Sequence, residues 1–210
     1  MLCGHNANTL TVKQQAMNTT FKLETLVLAS KNPGKIEELE TLLAPLGIAL
    51  KSARDLDLPD VVEDTGSFAG NARKKAEEVA AATGLPALAD DSGLCVDALG
   101  GDPGVETAHY GGYEKLLKTL ETTGPENRGA YFISVLALAI PGEKTAFFEG
   151  RVNGLITETA QGEGGFGFDP VFQPEGFDIT FAQMDQARKN AVSHRGQALA
   201  KFIGYISERL

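Results

Sequence analysis

A short apolar run, Thr25 to Ala29, leads directly into Ser30-Lys31-Asn32-Pro33-Gly34-Lys35 and from there into a segment of helical periodicity. In Gly34 to Leu46, residues Ile36, Leu39, Leu42, Leu43 and Leu46 recur on one face, and Gly47 supplies a stop. A strand feeding a helix across a tight turn needs a sheet to pack on, so this opening constrains the whole chain to an α/β arrangement. The rest agrees. Ile48 to Ser52 reads as a second strand. Ser67 to Thr83 reads as a second helix, with Phe68, Ala72, Ala76, Val79 and Ala80 on one side. Leu85 to Ala89 and Leu94 to Ala98 read as strands flanking a turn at Asp90-Asp91-Ser92-Gly93, and Tyr113 to Thr122 as a short helix. Ala130 to Ile140 and Thr145 to Val152 form a long hairpin around Pro141-Gly142, and Gly154 to Ile156 adds a strand. A Gly-rich loop follows at Gly162 to Asp169. The last helix starts near Ser193, an N-cap residue type, and buries Ala198, Leu199, Phe202, Ile203 and Ile206. Early alternation followed by a hairpin predicts an α/β fold with a mixed sheet. With no internal repeat and no Pro/Ser linker, residues 23–210 read as one continuous two-lobed unit.

Residues 1–22 differ in kind. They hold Lys13 and Lys22, no acid, and many Asn, Thr and Gln, with no apolar h-region, so they read as a disordered extension rather than a secretory signal. No apolar run approaches the roughly 18 residues of a membrane span. The net charge of −9 argues against binding a nucleic-acid backbone, although a local cluster of cations could still hold a small polyanion. Cys3 and Cys95 are the two cysteines, without a CxxC pair, which fits reduced thiols and a cytoplasmic setting. His5, His109 and His194 are scattered, so any metal here would sit on carboxylates and phosphate oxygens, a donor set that suits Mg²⁺.

Five polar clusters carry the functional reading. Ser30 to Lys35 is either an ordinary Asn-Pro-Gly turn or a phosphate cradle at a helix N-terminus, with Lys35 as its cation; it is not a Walker A loop. Asp90-Asp91-Ser92-Gly93 places two carboxylates at a strand end, where extended backbone sends them to opposite faces. Either this is a solvated Asp-Ser-Gly turn, or the two acids give Mg²⁺ a foothold or one of them activates water. Glu63-Asp64-Thr65-Gly66 precedes the second helix, where acids simply suit the dipole unless Glu63 is brought close to Asp91. Gly162 to Pro170 contains G-x-G-x-x-G, but Pro170 and an apolar strand follow it instead of a helix, which excludes the dinucleotide reading. Its Phe166 and Phe168 are either stacking surfaces for a flat ring or core residues. Lys189 and the pair His194-Arg195 set cations against a helix N-terminus, which is either a solvated basic patch or a local conflict that an anion or acceptor nearby would resolve.

Taken in order, SxNxGK, DDSGL with VDALGGxPG behind it, GGFGFDPVF and KNAVSHRGQAL resemble the non-canonical purine nucleoside triphosphate pyrophosphatase family, over roughly Thr25 to Leu210. The resemblance implies an elongated α/β fold with a central cleft between lobes. It implies a homodimer, Mg²⁺ dependence, and a house-cleaning hydrolysis of ITP, dITP and XTP to monophosphate and pyrophosphate. By the same resemblance, Ser30, Lys31, Asn32, Pro33, Gly34 and Lys35 hold the triphosphate. Glu63 and Asp91 bind Mg²⁺, with Asp91 also the general base, and Ser92 touches substrate. Phe166, Gly167, Phe168, Asp169, Lys189, His194 and Arg195 form the base pocket and its rim. The chain departs from the family pattern at Thr107-Ala108-His109-Tyr110, where relatives read Ser-Ala-Arg and an aromatic, and in a shorter connection to the helix at Tyr113. An Arg offers donors only, so Arg195 favours a 6-oxo purine over adenine; preference over guanine rests on the resemblance alone. The competing readings are a pyrophosphatase for another modified nucleotide and a non-catalytic nucleotide sensor, although a sensor has no need of Asp91 and Glu63.

Overall fold

Local chemistry sets the helix boundaries. In the computed structural model, which describes residues 23–207, helix α1 (Pro33–Leu43) follows strand β1 (Thr25–Leu28) and is capped by Asn32, whose side chain accepts from the backbone N–H of Lys35. A 3₁₀ turn carries the chain on to Gly47, which closes it in the left-handed conformation at φ 66°. After strand β2 (Ala49–Ser52), Ser67 caps helix α2 (Phe68–Thr83) and Gly84 terminates it, again left-handed. The extension at 1–22 lies outside the described residues.

The remaining elements are β3 (Ala87–Val96), α3 (Gly112–Thr119), β4 (Gly129–Ala139), β5 (Ala146–Ile156), β6 (Phe172–Pro174), α4 (Gln186–Val192) and α5 (His194–Ser207). They complete one mixed sheet of six strands in the order β2-β1-β3-β4-β5-β6. The first three strands are parallel, and β3 to β6 are antiparallel. The α/β expectation holds. Two strands around an acidic turn, however, become one: β3 runs unbroken through Asp90 to Gly93, paired residue by residue with β4 from Ala139 to Ala130. The run stays extended because its acids find cations on both faces, described below, and because Gly93 lies against neighbouring chain. A Cβ there would lie 2.6 Å from Thr107 Oγ1 and 2.9 Å from the Phe68 ring. The expected strand at Gly154 to Ile156 is the end of β5, and Lys189 lies in α4, a helix the sequence reading did not include.

The pleat sorts β3 strictly. Leu88, Asp90, Ser92 and Leu94 share one face, and Ala87, Ala89, Asp91 and Gly93 share the other. Leu88 joins a cluster with Leu39 and Leu43 of α1 and Leu199 and Phe202 of α5. Leu94 joins a second cluster with Leu116 of α3, Phe132, Phe172 and Phe181. Between these two apolar clusters the same face carries Asp90, Ser92 and Ser134, so a polar band crosses the sheet. On the opposite face Ala87 and Ala89 pack against Ala72, Ala76 and Val79 of α2.

Helix α5 crosses β5 at Gly150 with backbone against backbone. A Cβ at that position would fall on the carbonyl oxygen of His194 and lie 2.6 Å from Ala198 N. Gly150→Ala must therefore displace α5, and overpacking of this kind costs ~1–3 kcal/mol. Urea titration should show a lower midpoint at unchanged slope, and an unaltered midpoint would mean the contact yields freely.

Candidate active site

The site begins where β1 ends. Parallel pairing of β1 with β3 stops at Leu28 and Leu88, and β3 continues past it. The β1–α1 loop thus lies alongside Asp90 and Asp91, beyond a strand C-terminus at the point where the sheet changes from parallel to antiparallel. Within the loop, Ser30 Oγ accepts from Asn32 N at 3.2 Å, and Asn32 Oδ1 accepts from Lys35 N at 3.3 Å. These bonds fix the turn and aim the N-terminus of α1 into a cavity of about 520 Å³. Ser30, Lys31, Asn32 and Lys35 line one side of it, and Glu63, Lys75, Asp90, Asp91 and Ser92 line the other. Lys31 pairs with Asp60 at 3.0 Å on the exposed rim.

Glu63 does reach Asp91. Lys75 Nζ donates to Glu63 Oε2 and to Asp91 Oδ1, each at 3.0 Å, and to the Asp90 carbonyl oxygen at 3.1 Å. The segment bearing Glu63 is tied to α2 by Asn71, whose Oδ1 accepts from Thr65 N at 3.2 Å and from Thr65 Oγ1 at 2.7 Å. The sequence reading missed both Lys75 and Asn71, although a signal was there. They occupy the apolar face of α2, at helical spacing from Ala72, Ala76 and Val79, and a polar residue on a buried face needs a partner. Burial pushes the Asp91 carboxyl up to about 6, with Glu63 adding to the rise and Lys75 opposing it. Burial acts the same way on Glu63, but the neighbouring Asp91 carboxyl and the Lys75 ammonium outweigh it, and its carboxyl is lowered. One acid of the pair is thus poised to carry a proton while the other stays ionised.

A second cavity, about 480 Å³, opens on the far side of Lys35. It is lined by Pro33, Gly34, Phe166, Gly167, Phe168, Asp169, Lys189, His194 and Arg195, and it shares Asn32, Lys35, Ser92 and Ala108 with the first. All the expected site residues therefore converge on two adjoining cavities. The two rings of the Gly-rich loop have separate fates. Phe168 is buried, while Phe166 is exposed, facing Lys189 Nζ at 5.0 Å and the Arg195 guanidinium at 5.7 Å from its ring centre. The loop is pinned by Asp169, whose Oδ2 accepts from Phe166 N at 2.8 Å. His194 is buried and stacked on Phe132 at 4.7 Å, with Nδ1 unpaired. Burial and the neighbouring Arg195 hold its imidazole well below the usual range, so it is neutral.

The cations of this cavity are shared with buried acids. Lys189 Nζ donates to Glu38 Oε1 at 2.8 Å and to Asp169 Oδ2 at 2.7 Å. Arg195 donates to Glu38 Oε2, to Asp90 Oδ2 at 3.2 Å and to Ser92 Oγ at 3.0 Å. Asp90 also takes Lys35 at 2.9 Å and Ser134 Oγ at 2.6 Å. Burial works against the charges of Asp90 and Glu38, yet these partners outweigh it and hold both acids ionised. Glu38 sits one helical turn after Lys35, on the face of α1 that carries Leu39 and Leu43; like Lys75, it is a charged residue on an apolar face. Thr107 accepts from Leu94 N at 2.9 Å and donates to Gly104 O at 2.6 Å, stapling the divergent segment to β3, and His109 lines the first cavity.

The described residues contain no cluster of three or more metal-ligating His, Cys, Asp or Glu side chains. The donor set nonetheless suits Mg²⁺, which commonly takes one or two carboxylates and completes its shell with water and substrate phosphate. Asp91 Oδ2 is buried without a hydrogen-bond partner, and Glu63 lies beside it. The arrangement supplies an anion cradle, a carboxylate pair for a divalent cation, an acid able to take a proton near neutrality, and a ring-sized cavity with cationic donors.

The Ham1 family model matches residues 26–205. A dITP/XTP pyrophosphatase of Gluconobacter oxydans is 46% identical over 184 residues, covering 85% of this chain and 88% of that one. Its counterpart in Geobacter sulfurreducens is 47% identical over 184 residues, covering 83% and 92%. Among solved structures, a HAM1 protein from Coxiella burnetii superposes with a TM-score of 0.80 at 38% identity, covering 88% of this chain and 98% of its own.

The raised Asp91 carboxyl has a sign that can be tested. Its proton is favoured by folding, so that contribution to stability is complete below pH ~4, the unfolded value, and is lost as pH rises through about 6. A divalent cation competes with the same proton. Mg²⁺ should therefore raise the melting temperature at pH 7.5 and do so far less at pH 5. Asp91→Asn should abolish the pH 7.5 shift. Scanning calorimetry reads both, and an equal shift at the two pH values would place the cation elsewhere.

Proposed function

The chain belongs to the Ham1 family, and from that premise we propose that it hydrolyses the non-canonical purine nucleoside triphosphates ITP, dITP and XTP to the monophosphate and pyrophosphate. The observation that carries this reading is Asp91: buried, with one bare oxygen, beside Glu63 and in a cavity facing the N-terminus of α1. Lys35, Lys31 and the α1 N–H groups receive the triphosphate. Glu63 and Asp91 would hold Mg²⁺, which when bound would neutralise charge building on the phosphates. Asp91 takes a proton from the attacking water. The water oxygen bonds to phosphorus, the anhydride bond breaks, and pyrophosphate leaves with the bridging oxygen. Lys75 bridges the two carboxylates and holds them side by side.

The base enters the second cavity, against Phe166, where Lys189 and Arg195 present donors to a 6-oxo group. Family resemblance supports a homodimer. A role in cleansing the nucleotide pool and a buried free thiol at Cys95 support a cytoplasmic setting.

Pyrophosphate release from ITP, dITP, XTP, GTP, ATP and a modified pyrimidine triphosphate, with and without Mg²⁺, tests the reading. Turnover should require the metal and favour ITP and XTP strongly over ATP. Asp91→Asn, folded by circular dichroism, should lose at least about 10²-fold in kcat. Preference for the pyrimidine would reassign the substrate, and tight ITP binding without turnover would make the protein a sensor.

A further inference from the structure

We propose that Asp90 is a positioning residue that couples the two cavities, so that a triphosphate on one side fixes the base-reading cation on the other. The proposal rests on the functional reading above and assigns a role to a residue that is neither the general base nor a metal ligand.

The argument starts from what Asp90 cannot do. Its side chain has no solvent exposure, and it belongs to the middle of β3, paired to β4 on one side. Ser134 on β4 donates to its Oδ1 at 2.6 Å, so the carboxylate cannot turn to follow a departing partner. Its Oδ2 is shared by Lys35 at 2.9 Å, Arg195 at 3.2 Å and Ser92 Oγ at 3.1 Å. The two cations differ in freedom. The Lys35 side chain is 17% exposed and lines both cavities, whereas that of Arg195 is 4% exposed and held by Glu38 as well.

A triphosphate arriving at the α1 N-terminus competes with Asp90 for Lys35. As Lys35 turns to the phosphates, Asp90 is left buried with one full cationic partner, and an unpaired buried carboxylate is costly. Its pairing then concentrates on Arg195, which fixes the guanidinium and its remaining N–H toward the base. The reverse holds by linkage: a base acceptor that holds Arg195 in this position lowers the demand of Asp90 on Lys35, and the phosphates gain a freer cation. The two halves of one nucleotide should therefore bind more tightly together than their separate affinities imply, even when no covalent bond joins them.

Double inhibition of ITP turnover separates this coupling from a merely structural role. The probes are inosine for the base side and inorganic tripolyphosphate for the phosphate side, each alone and then both together, with Mg²⁺ present. In the unaltered protein each should tighten the other by about fivefold or more. Asp90→Asn keeps the shape and removes the charge, and should bring the interaction factor to about one. Ser134→Ala removes only the clamp and should reduce the factor while leaving the fold intact; it decides the matter if Asp90→Asn does not fold. A structural role would move both inhibition constants and leave the factor alone. Independent or mutually exclusive binding in the unaltered enzyme, or a factor unchanged in the variants, overturns the coupling and leaves the activity standing. Absence of ITP turnover overturns the activity itself and the coupling with it.

Discussion

A carboxylate with no exposure, set in the middle of an apolar sheet face, governs much of this structure. Asp90 interrupts the sequence Leu88 to Leu94 at the point where the face should be continuous core. Its charge cannot be left bare, and the elements that answer it come from across the chain: Lys35 from α1, Ser134 from β4, Arg195 from α5. Arg195 in turn requires Glu38, Glu38 is shared with Lys189, and Lys189 is shared with Asp169, which pins the Gly-rich loop through Phe166 N. The alternation of signs makes each ion part of the solvation of its neighbours. Replacing one member of such a band leaves a buried charge unpaired, and losses of ~3–5 kcal/mol follow from that alone. The site and the fold therefore share the same residues, and a fall in activity on mutating Arg195 or Lys189 must be separated from a fall in stability.

The strand pleat makes opposite groups out of two adjacent and chemically identical acids. Asp90 meets two cations and two hydroxyls and is held ionised against its burial. Asp91, one residue on, faces α2 and meets one ammonium already shared with Glu63, so burial prevails and its carboxyl rises to about 6. Divergent environments of this kind separate an electrostatic strut from a group that can exchange a proton near neutral pH. A one-residue slip of β3 would exchange the two and remove both functions, and pairing with β4 from Ala87 to Val96 holds the register.

What was legible in the sequence follows the range of the forces involved. Helices α1 and α2, the β4–β5 hairpin and the cap at Ser193 depend on periodicity and local hydrogen bonds, and each was readable from a few neighbouring residues. The polar residues that line the two cavities stood out because they break local rules: acids in an apolar run, cations at a helix N-terminus. The continuity of β3 was not readable. Asp-Asp-Ser-Gly has turn chemistry, and distant partners such as Lys35, Lys75 and Arg195, 55, 15 and 105 residues away from Asp90, make an extended path acceptable. Lys75 and Glu38 escaped for the same reason, since each looks like a solvated helix charge until its partners are in place. Phe166 and Phe168, two residues apart with the same side chain, divide into an exposed and a buried ring only once the loop is folded.

The buried band also limits what the second cavity can offer a ligand. A guanidinium has five N–H donors, and Arg195 directs four of them at Asp90, Glu38 and Ser92. An ammonium has three, and Lys189 directs two at Glu38 and Asp169. Among the described residues, one donor remains on each, and both cations face the Phe166 ring. The second cavity therefore offers a few fixed donors rather than flexible cationic arms. A 6-oxo purine gives such donors an acceptor. An adenine presents an N–H there, leaving donors opposed on both sides, and each buried donor so left costs ~1–3 kcal/mol. Because the acids hold the cations in place, the site cannot relax to relieve that mismatch. On the function proposed above, discrimination against adenine would come from the rigidity that Asp90, Glu38 and Asp169 impose as much as from the donors they hold.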